Sequence, residues 1–101
     1  MKGFDNIELI KFPDLDEIDS SILEKTFQRF LNKISIMPED KLVLTSKEYA
    51  KGGLRKQHDI KAHLIYSGKS FVASEIGWQL LETVQNVLKK LEKEVLKSTS
   101  K

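Results

Sequence analysis

The last third of the chain carries a helical pattern that strongly constrains the fold. Between Trp78 and Lys97, apolar residues recur at intervals of three and four, so they share one sector of a helix that turns about 100° per residue. Lys89 and Lys93 fall on the opposite side, as does Lys97. The apolar sector contains Leu80, Leu81, Val84, Val87, Leu88, Leu91 and Val95. The pattern predicts a long helix with one face in a core and a basic back.

An earlier stretch has the same two-sided pattern. Asp19, Ser20 and Ser21 offer N-caps, and Ser21 with Glu24 has the spacing of a capping box, which predicts a helix from Ser21 to about Ile34. Its apolar residues share one sector: Leu23, Phe27, Phe30, Leu31 and Ile34. The opposite side carries three cations at i, i+4 and i+8, which are Lys25, Arg29 and Lys33. Both predicted helices therefore carry a basic stripe.

The remaining segments have the composition or the alternation of strands. We predict strands over Asn6 to Phe12, Lys41 to Tyr49, His58 to Tyr66 and Ser70 to Ser74. Pro13 ends the first strand, and Pro38 separates the first helix from the second strand. A loop over Ala50 to Gln57 contains two glycines and a basic tip formed by Lys51, Arg55 and Lys56.

This order predicts an α+β fold, a two-layer sandwich with the element order β-α-β-β-β-α. Short connections join the last three strands into an antiparallel meander, and the first strand completes a four-stranded sheet. Both helices are expected on one face of the sheet, and the other face stays in water. A chain of 101 residues is expected to form a single domain over residues 1–101.

Composition narrows the classes of function. No apolar run approaches the roughly 18 residues of a membrane helix, and the N-terminus lacks the pattern of a signal peptide. The absence of cysteine excludes disulfides and thiolate metal sites, which fits a cytoplasmic protein. His58 and His63 differ in strand parity, so they leave opposite faces and cannot share a metal. No catalytic motif is present, and we expect no enzyme activity, cofactor, metal or small-molecule substrate.

The small net charge of +2 hides a separation of charges along the chain. Residues 1–24 contain seven acidic and two basic residues, whereas residues 25–101 contain fifteen basic and eight acidic residues. Local charge density governs attraction to a polyanion, so the basic part favours a nucleic-acid partner. Lysines on a helix back can also simply solubilise the protein, and for a single stripe that interpretation is the more common one.

The stretch SGKSFVASEIGWQLLETVQNVLKKLEKEVLK resembles the end of the short ribosome hibernation promoting factors and ribosome-associated translation inhibitors. The shared features include a glycine in the turn (Gly68), a strand that ends in Ala73-Ser74, and a glycine three residues later (Gly77). The last helix also ends in the family's pattern, with Lys90-Leu91-Glu92-Lys93 followed by Lys97. The element order is similar over the whole chain. The acidic PDLDEID segment and the AKGGLRKQ loop depart from the family pattern.

This resemblance implies a protein that contacts rRNA of the small ribosomal subunit and inhibits translation or protects idle ribosomes. The family contacts rRNA through basic residues of both helices and of the sheet, which implies a set of binding residues here. That set is Lys25, Arg29, Lys33, Arg55, Lys56, Lys89, Lys90, Lys93 and Lys97. The chain has no equivalent of the C-terminal dimerising extension of the long family members, so we expect a monomer or weak dimer.

Two other interpretations remain open. The chain could be a protein-interaction adaptor that uses the exposed face or edge of its sheet, with lysines serving solubility. A double-stranded RNA module shares the αβββα core, but the last helix here begins EIGWQLL and lacks that module's lysine cluster. Trp78 lies outside the apolar sector of its helix. It could stack on a base or on a partner side chain, but we expect it to cover the adjacent loop at the helix start.

Overall fold

Four strands and two helices follow one another in the predicted order β-α-β-β-β-α. The structure, a computed structural model, describes residues 6–50, 52–53 and 55–99. The elements are β1 (Ile7–Ile10), α1 (Glu17–Ile34), β2 (Lys41–Ala50), β3 (Lys56–Tyr66), β4 (Lys69–Gly77) and α2 (Leu80–Thr99). The predicted α+β class and element order are confirmed.

The strands form one mixed sheet in the order β1-β2-β3-β4. β1 is parallel to β2, and β2, β3 and β4 form the predicted antiparallel meander. Leu42 lies opposite Leu64, and Leu44 lies opposite Ala62. Because side chains alternate along a strand, these buried residues share one face of the sheet.

Both helices bury their apolar sectors in the same core as that sheet face. α1 contributes Leu23, Phe27, Phe30 and Ile34, and α2 contributes Val84, Val87, Leu88, Leu91 and Val95. The outer face of the sheet is open, and its apolar residues Ile65, Val72 and Ile76 are exposed by 42%, 68% and 55%. The two-layer arrangement follows from burial of one face only.

The predicted start of α1 is wrong by one turn. α1 begins at Glu17, and its N-cap is Asp16, whose Oδ1 accepts a hydrogen bond from the Asp19 N–H at 2.7 Å. Ser21 is already inside the helix, so the predicted capping box does not form. An aspartate N-cap competes well with serine, and the acidic residues of the first turn favour the positive end of the helix dipole.

Some strand boundaries also differ from those predicted from sequence. β1 is confined to Ile7–Ile10, β3 begins at Lys56, and β4 continues to Gly77. The loop predicted over Ala50 to Gln57 is therefore shorter, because its two ends pair as Ala50 with Lys56. Lys51, predicted at the loop tip, lies outside the described residues.

Gly77 marks the point where β4 passes beneath the start of α2. A Cβ atom added to Gly77 would clash with Oγ1 of Thr83, far inside normal contact distance. Thr83 is itself 2% exposed, and its hydroxyl donates to the Gln79 C=O at 2.6 Å. A glycine is therefore required for α2 to approach the sheet this closely.

We expect Gly77→Ala to lower the free energy of unfolding by about 1–3 kcal/mol, because the added methyl group overpacks the contact. In the double variant Gly77→Ala/Thr83→Ala, the loss should be smaller than the sum of the two single losses, since the clashing hydroxyl is gone. Urea denaturation of the four proteins in this cycle measures the coupling, and strictly additive losses would contradict the contact.

Candidate nucleic-acid interface

A cationic groove lies between the two helices and is called here the interhelical groove. It has a volume of about 190 Å³ and is lined by Thr26, Arg29, Phe30, Lys33, Gln85, Leu88, Lys89 and Glu92. Phe30 and Leu88 are buried and form its floor, while Arg29, Lys33 and Lys89 are exposed along its walls. The helix packing thus brings cations from distant parts of the sequence to one concave surface.

The cations outnumber the acids in the interhelical groove. Lys33 Nζ lies 3.6 Å from Glu92 Oε1, and this ion pair joins α1 to α2. The Lys33 side chain remains 63% exposed, so the pair leaves it accessible to solvent. Arg29 and Lys89 take part in none of the ion pairs found among the described residues. Lys25 is exposed one turn before Arg29 and extends the stripe beyond the groove.

The other lysines of α2 line a second groove, between α2 and β4. They face the outer edge of the sheet in what is called here the edge groove, with a volume of about 430 Å³. The edge groove is lined by Val72, Ala73, Ser74, Lys90, Lys93, Glu94 and Lys97. Lys90 Nζ donates to the Ser74 C=O at 2.9 Å and contacts Glu75 Oε1 at 3.1 Å.

The basic residues of the two helices therefore line two separate grooves. Arg29, Lys33 and Lys89 line the interhelical groove, whereas Lys90, Lys93 and Lys97 line the edge groove. Adjacent residues of a helix are separated by about 100°, so Lys89 and Lys90 reach different flanks. The sequence showed that lysines lie opposite the apolar sector of α2. Only the position of α2 between α1 and β4 reveals which neighbouring element each lysine faces.

Arg55 and Lys56 lie apart from both grooves, near the connection between β2 and β3. The Arg55 guanidinium stacks over the Trp78 ring, 4.3 Å from its centroid, and Lys56 Nζ lies 3.6 Å from Glu48 Oε2. Trp78 therefore contacts the connection between β2 and β3, and it remains 47% exposed. These two cations interact with their own surroundings and do not extend the interhelical groove.

Sequence reasoning missed two residues that line the interhelical groove and one contact between β4 and α2. Gln85 and Thr26 add polar atoms to the interhelical groove, but uncharged residues carry no charge signal in a sequence. Lys69 Nζ donates to Ser98 Oγ at 3.3 Å, which ties the start of β4 to the end of α2. The helical period alone could have flagged Gln85, since it lies four residues before Lys89.

The histidines lie on opposite faces of β3, as their parity predicted. His58 Nδ1 lies 4.0 Å from Glu48 Oε1, whereas His63 Nε2 lies 2.6 Å from Ser70 Oγ. In the described ranges, no group of three or more histidine, aspartate or glutamate side chains is arranged to hold a metal ion. Among the described helices, none combines the length and hydropathy of a membrane span.

Comparison with solved structures finds two chains that share this fold over nearly their whole length. The chain is similar to a ribosomal subunit interface protein from Coxiella burnetii, with a TM-score of 0.65, 18% identity, and coverage of 94% of this chain and 98% of that chain. It is also similar to the N-terminal domain of Protein Y from Thermus thermophilus, with a TM-score of 0.54 and 14% identity over 91% of this chain and 94% of that chain. No family model and no curated protein sequence matches the chain.

These likenesses establish a shared fold. The fold implied by the resemblance to hibernation factors is thereby confirmed over nearly the whole chain, including the part outside the C-terminal motif.

Removing the carboxylate of Glu92 tests the electrostatics of the interhelical groove. We expect Glu92→Gln to change the free energy of unfolding by less than about 1 kcal/mol, because Lys33 is 63% exposed and the pair is therefore screened by solvent on that side. The same change should raise the salt concentration that elutes the protein from heparin. Glu39→Gln, on the exposed loop before β2, adds the same charge elsewhere and should shift elution less. Equal shifts would show that heparin senses only net charge.

Proposed function

We propose that this protein binds rRNA of the small ribosomal subunit through the interhelical groove. Arg29 and Lys33 on α1, together with Lys89 on α2, contact phosphates, and Lys25 extends the contact along α1. The observation that carries this proposal is the convergence of these cations in one concave surface. Ammonium and guanidinium groups neutralise phosphates and release counterions, which supports affinity with little sequence preference.

The shape of the groove supports RNA over a general polyanion. Its floor is apolar and its walls carry amide and hydroxyl groups from Gln85 and Thr26, which can hydrogen-bond ribose hydroxyls or base edges. Two packed helices hold these groups at a fixed spacing, so a rigid surface can select a complementary RNA cleft. The proposal also agrees with the fold shared with a ribosomal subunit interface protein.

The acidic N-terminal stretch does not oppose this assignment. Asp16 caps α1, and Glu17 and Asp19 occupy its first turn, at the end of the helix far from Lys33. None of the ion pairs found among the described residues joins these acids to a cation of the interhelical groove. Three cations and one carboxylate therefore line the groove, despite the small net charge of the chain.

Binding at this site would place the protein on the small subunit in the cytoplasm and inhibit translation or protect idle ribosomes. An in vitro translation assay distinguishes these outcomes, since an inhibitor lowers the yield from active ribosomes at saturating concentration. A protective factor instead preserves the fraction of intact subunits during incubation without substrate. Both effects require the same occupied groove.

We expect Arg29→Glu/Lys89→Glu to weaken binding to purified small subunits by roughly tenfold or more, because two phosphate contacts become repulsive. The wild-type dependence of log affinity on log salt should have a slope of about −2 to −3 for three neutralised phosphates, and the variant slope should be shallower. Sedimentation with ribosomal particles at several salt concentrations measures both quantities.

Lys61→Glu provides a control with one reversed charge, since Lys61 is exposed on the open face of the sheet, away from the helices. Its binding to subunits should stay within about twofold of wild type. If Lys61→Glu weakens binding as much as the double variant, the open sheet face is the interface. If co-purification yields a protein partner without rRNA, the adaptor interpretation replaces this proposal.

A further inference from the structure

The outer edge of β4 presents backbone hydrogen-bonding groups that no strand of the described chain uses. Their direction follows from the register of the sheet. The Leu42 N–H donates to the Asn6 C=O at 2.8 Å, so the backbone groups of Leu42 face β1. Because these groups alternate in direction, the antiparallel register directs those of Ala73 toward β3 and those of Val72 and Ser74 away from the sheet.

An independent contact gives the same direction. Lys90 reaches from α2 to the Ser74 C=O at 2.9 Å, which is possible because that carbonyl points out of the sheet. Lys90 thus covers one carbonyl of the edge, in the way that lysines often protect edge strands from unwanted pairing. The outward N–H and C=O groups of Val72 have no partner in the described structure, and the Val72 side chain is 68% exposed.

The edge groove adds a charge preference to this open strand. Lys93 and Lys97 line it beside Lys90, and Glu94 is its one acidic lining residue among those described. No hydrogen bond or ion pair found in the described residues engages Lys93 or Lys97. The lysines lie on the helix side of β4, whereas the Val72 side chain lies on the open side of the sheet.

We propose that the edge groove binds an extended acidic segment of a partner protein, which adds a fifth strand beside β4. Such a strand would pair with the outward N–H and C=O groups of Val72 and with the outward N–H of Ser74, since Lys90 already occupies the Ser74 C=O. Its alternate side chains would face Lys93 and Lys97 on one side and Val72 on the other. The site therefore favours a sequence in which aspartate or glutamate alternates with β-branched residues. This binding site is separate from the proposed rRNA interface.

Two other occupants fit less well. A sugar-phosphate backbone satisfies the lysines, but it does not repeat N–H donors and C=O acceptors at the two-residue spacing of a strand. A second copy pairing through its own β4 would bring two sets of Lys90, Lys93 and Lys97 together, and like charges in close contact oppose association. The acidic stretch around Asp16 is already folded as the start of α1 and is not free to act as a strand.

A labelled peptide of about eight residues, in which aspartate alternates with valine, tests the site by fluorescence anisotropy. We expect saturable binding to the wild-type protein, with backbone amide NMR shifts largest at Val72 and Ser74. Lys93→Glu/Lys97→Glu should weaken peptide binding by roughly tenfold. Arg29→Glu/Lys89→Glu reverses the same number of charges on the other flank and should leave peptide binding unchanged.

A further variant and a further peptide separate backbone pairing from simple charge attraction. Val72→Pro removes one outward N–H donor and should weaken the peptide while leaving the lysines in place, with circular dichroism confirming the fold. A peptide with lysine in place of aspartate should not bind.

The proposal is overturned if the Asp-Val peptide does not bind or shifts amides elsewhere. It is also overturned if Lys93→Glu/Lys97→Glu abolishes binding to ribosomal subunits, because the edge groove would then belong to the RNA surface. Failure of the rRNA proposal alone would leave these peptide measurements unaffected.

Discussion

Both candidate surfaces depend on the close packing of α2 against the sheet. β4 ends at Gly77, and the absence of a side chain there allows Thr83 in the first turn of α2 to pack directly on the strand. The apolar sector of α2 then lies over β3 and β4, with α1 on its other flank. One groove therefore forms between α2 and α1, and the other forms between α2 and β4. The lysines of α2 are divided between these two grooves.

Acidic and basic side chains occupy different parts of the surface of this protein, and this separation matters more than the net charge. The acidic residues near Asp16 stabilise the beginning of α1, where a helix favours negative charge, and leave the interhelical groove positive. Glu92 offsets part of the positive charge of that groove by pairing with Lys33, and Glu75 offsets the charge of Lys90 beside β4. A chain with a net charge of only +2 can therefore present two local cationic surfaces.

The fold was largely predictable because burial in a two-layer protein imposes strict periods on the sequence. The residues that the helical period assigned to the core, such as Phe27 and Leu91, are buried, and so are the alternating residues Ile60 and Leu64. The boundaries were less predictable. Ser21 and Asp16 both suit an N-cap, and the choice between them depends on where the preceding chain leaves the sheet.

The sequence by itself determined the element order, the two buried faces and the presence of cations behind both helices, because each depends on the local period of a helix or strand. Only the tertiary structure decided which cations act together: Lys89 faces Arg29, while its neighbour Lys90 reaches the edge of β4. It also decided that Asp40 is buried, accepting hydrogen bonds from Met37 and Ser67. Contacts between residues far apart in the chain depend on how whole elements pack, and no local pattern records that packing.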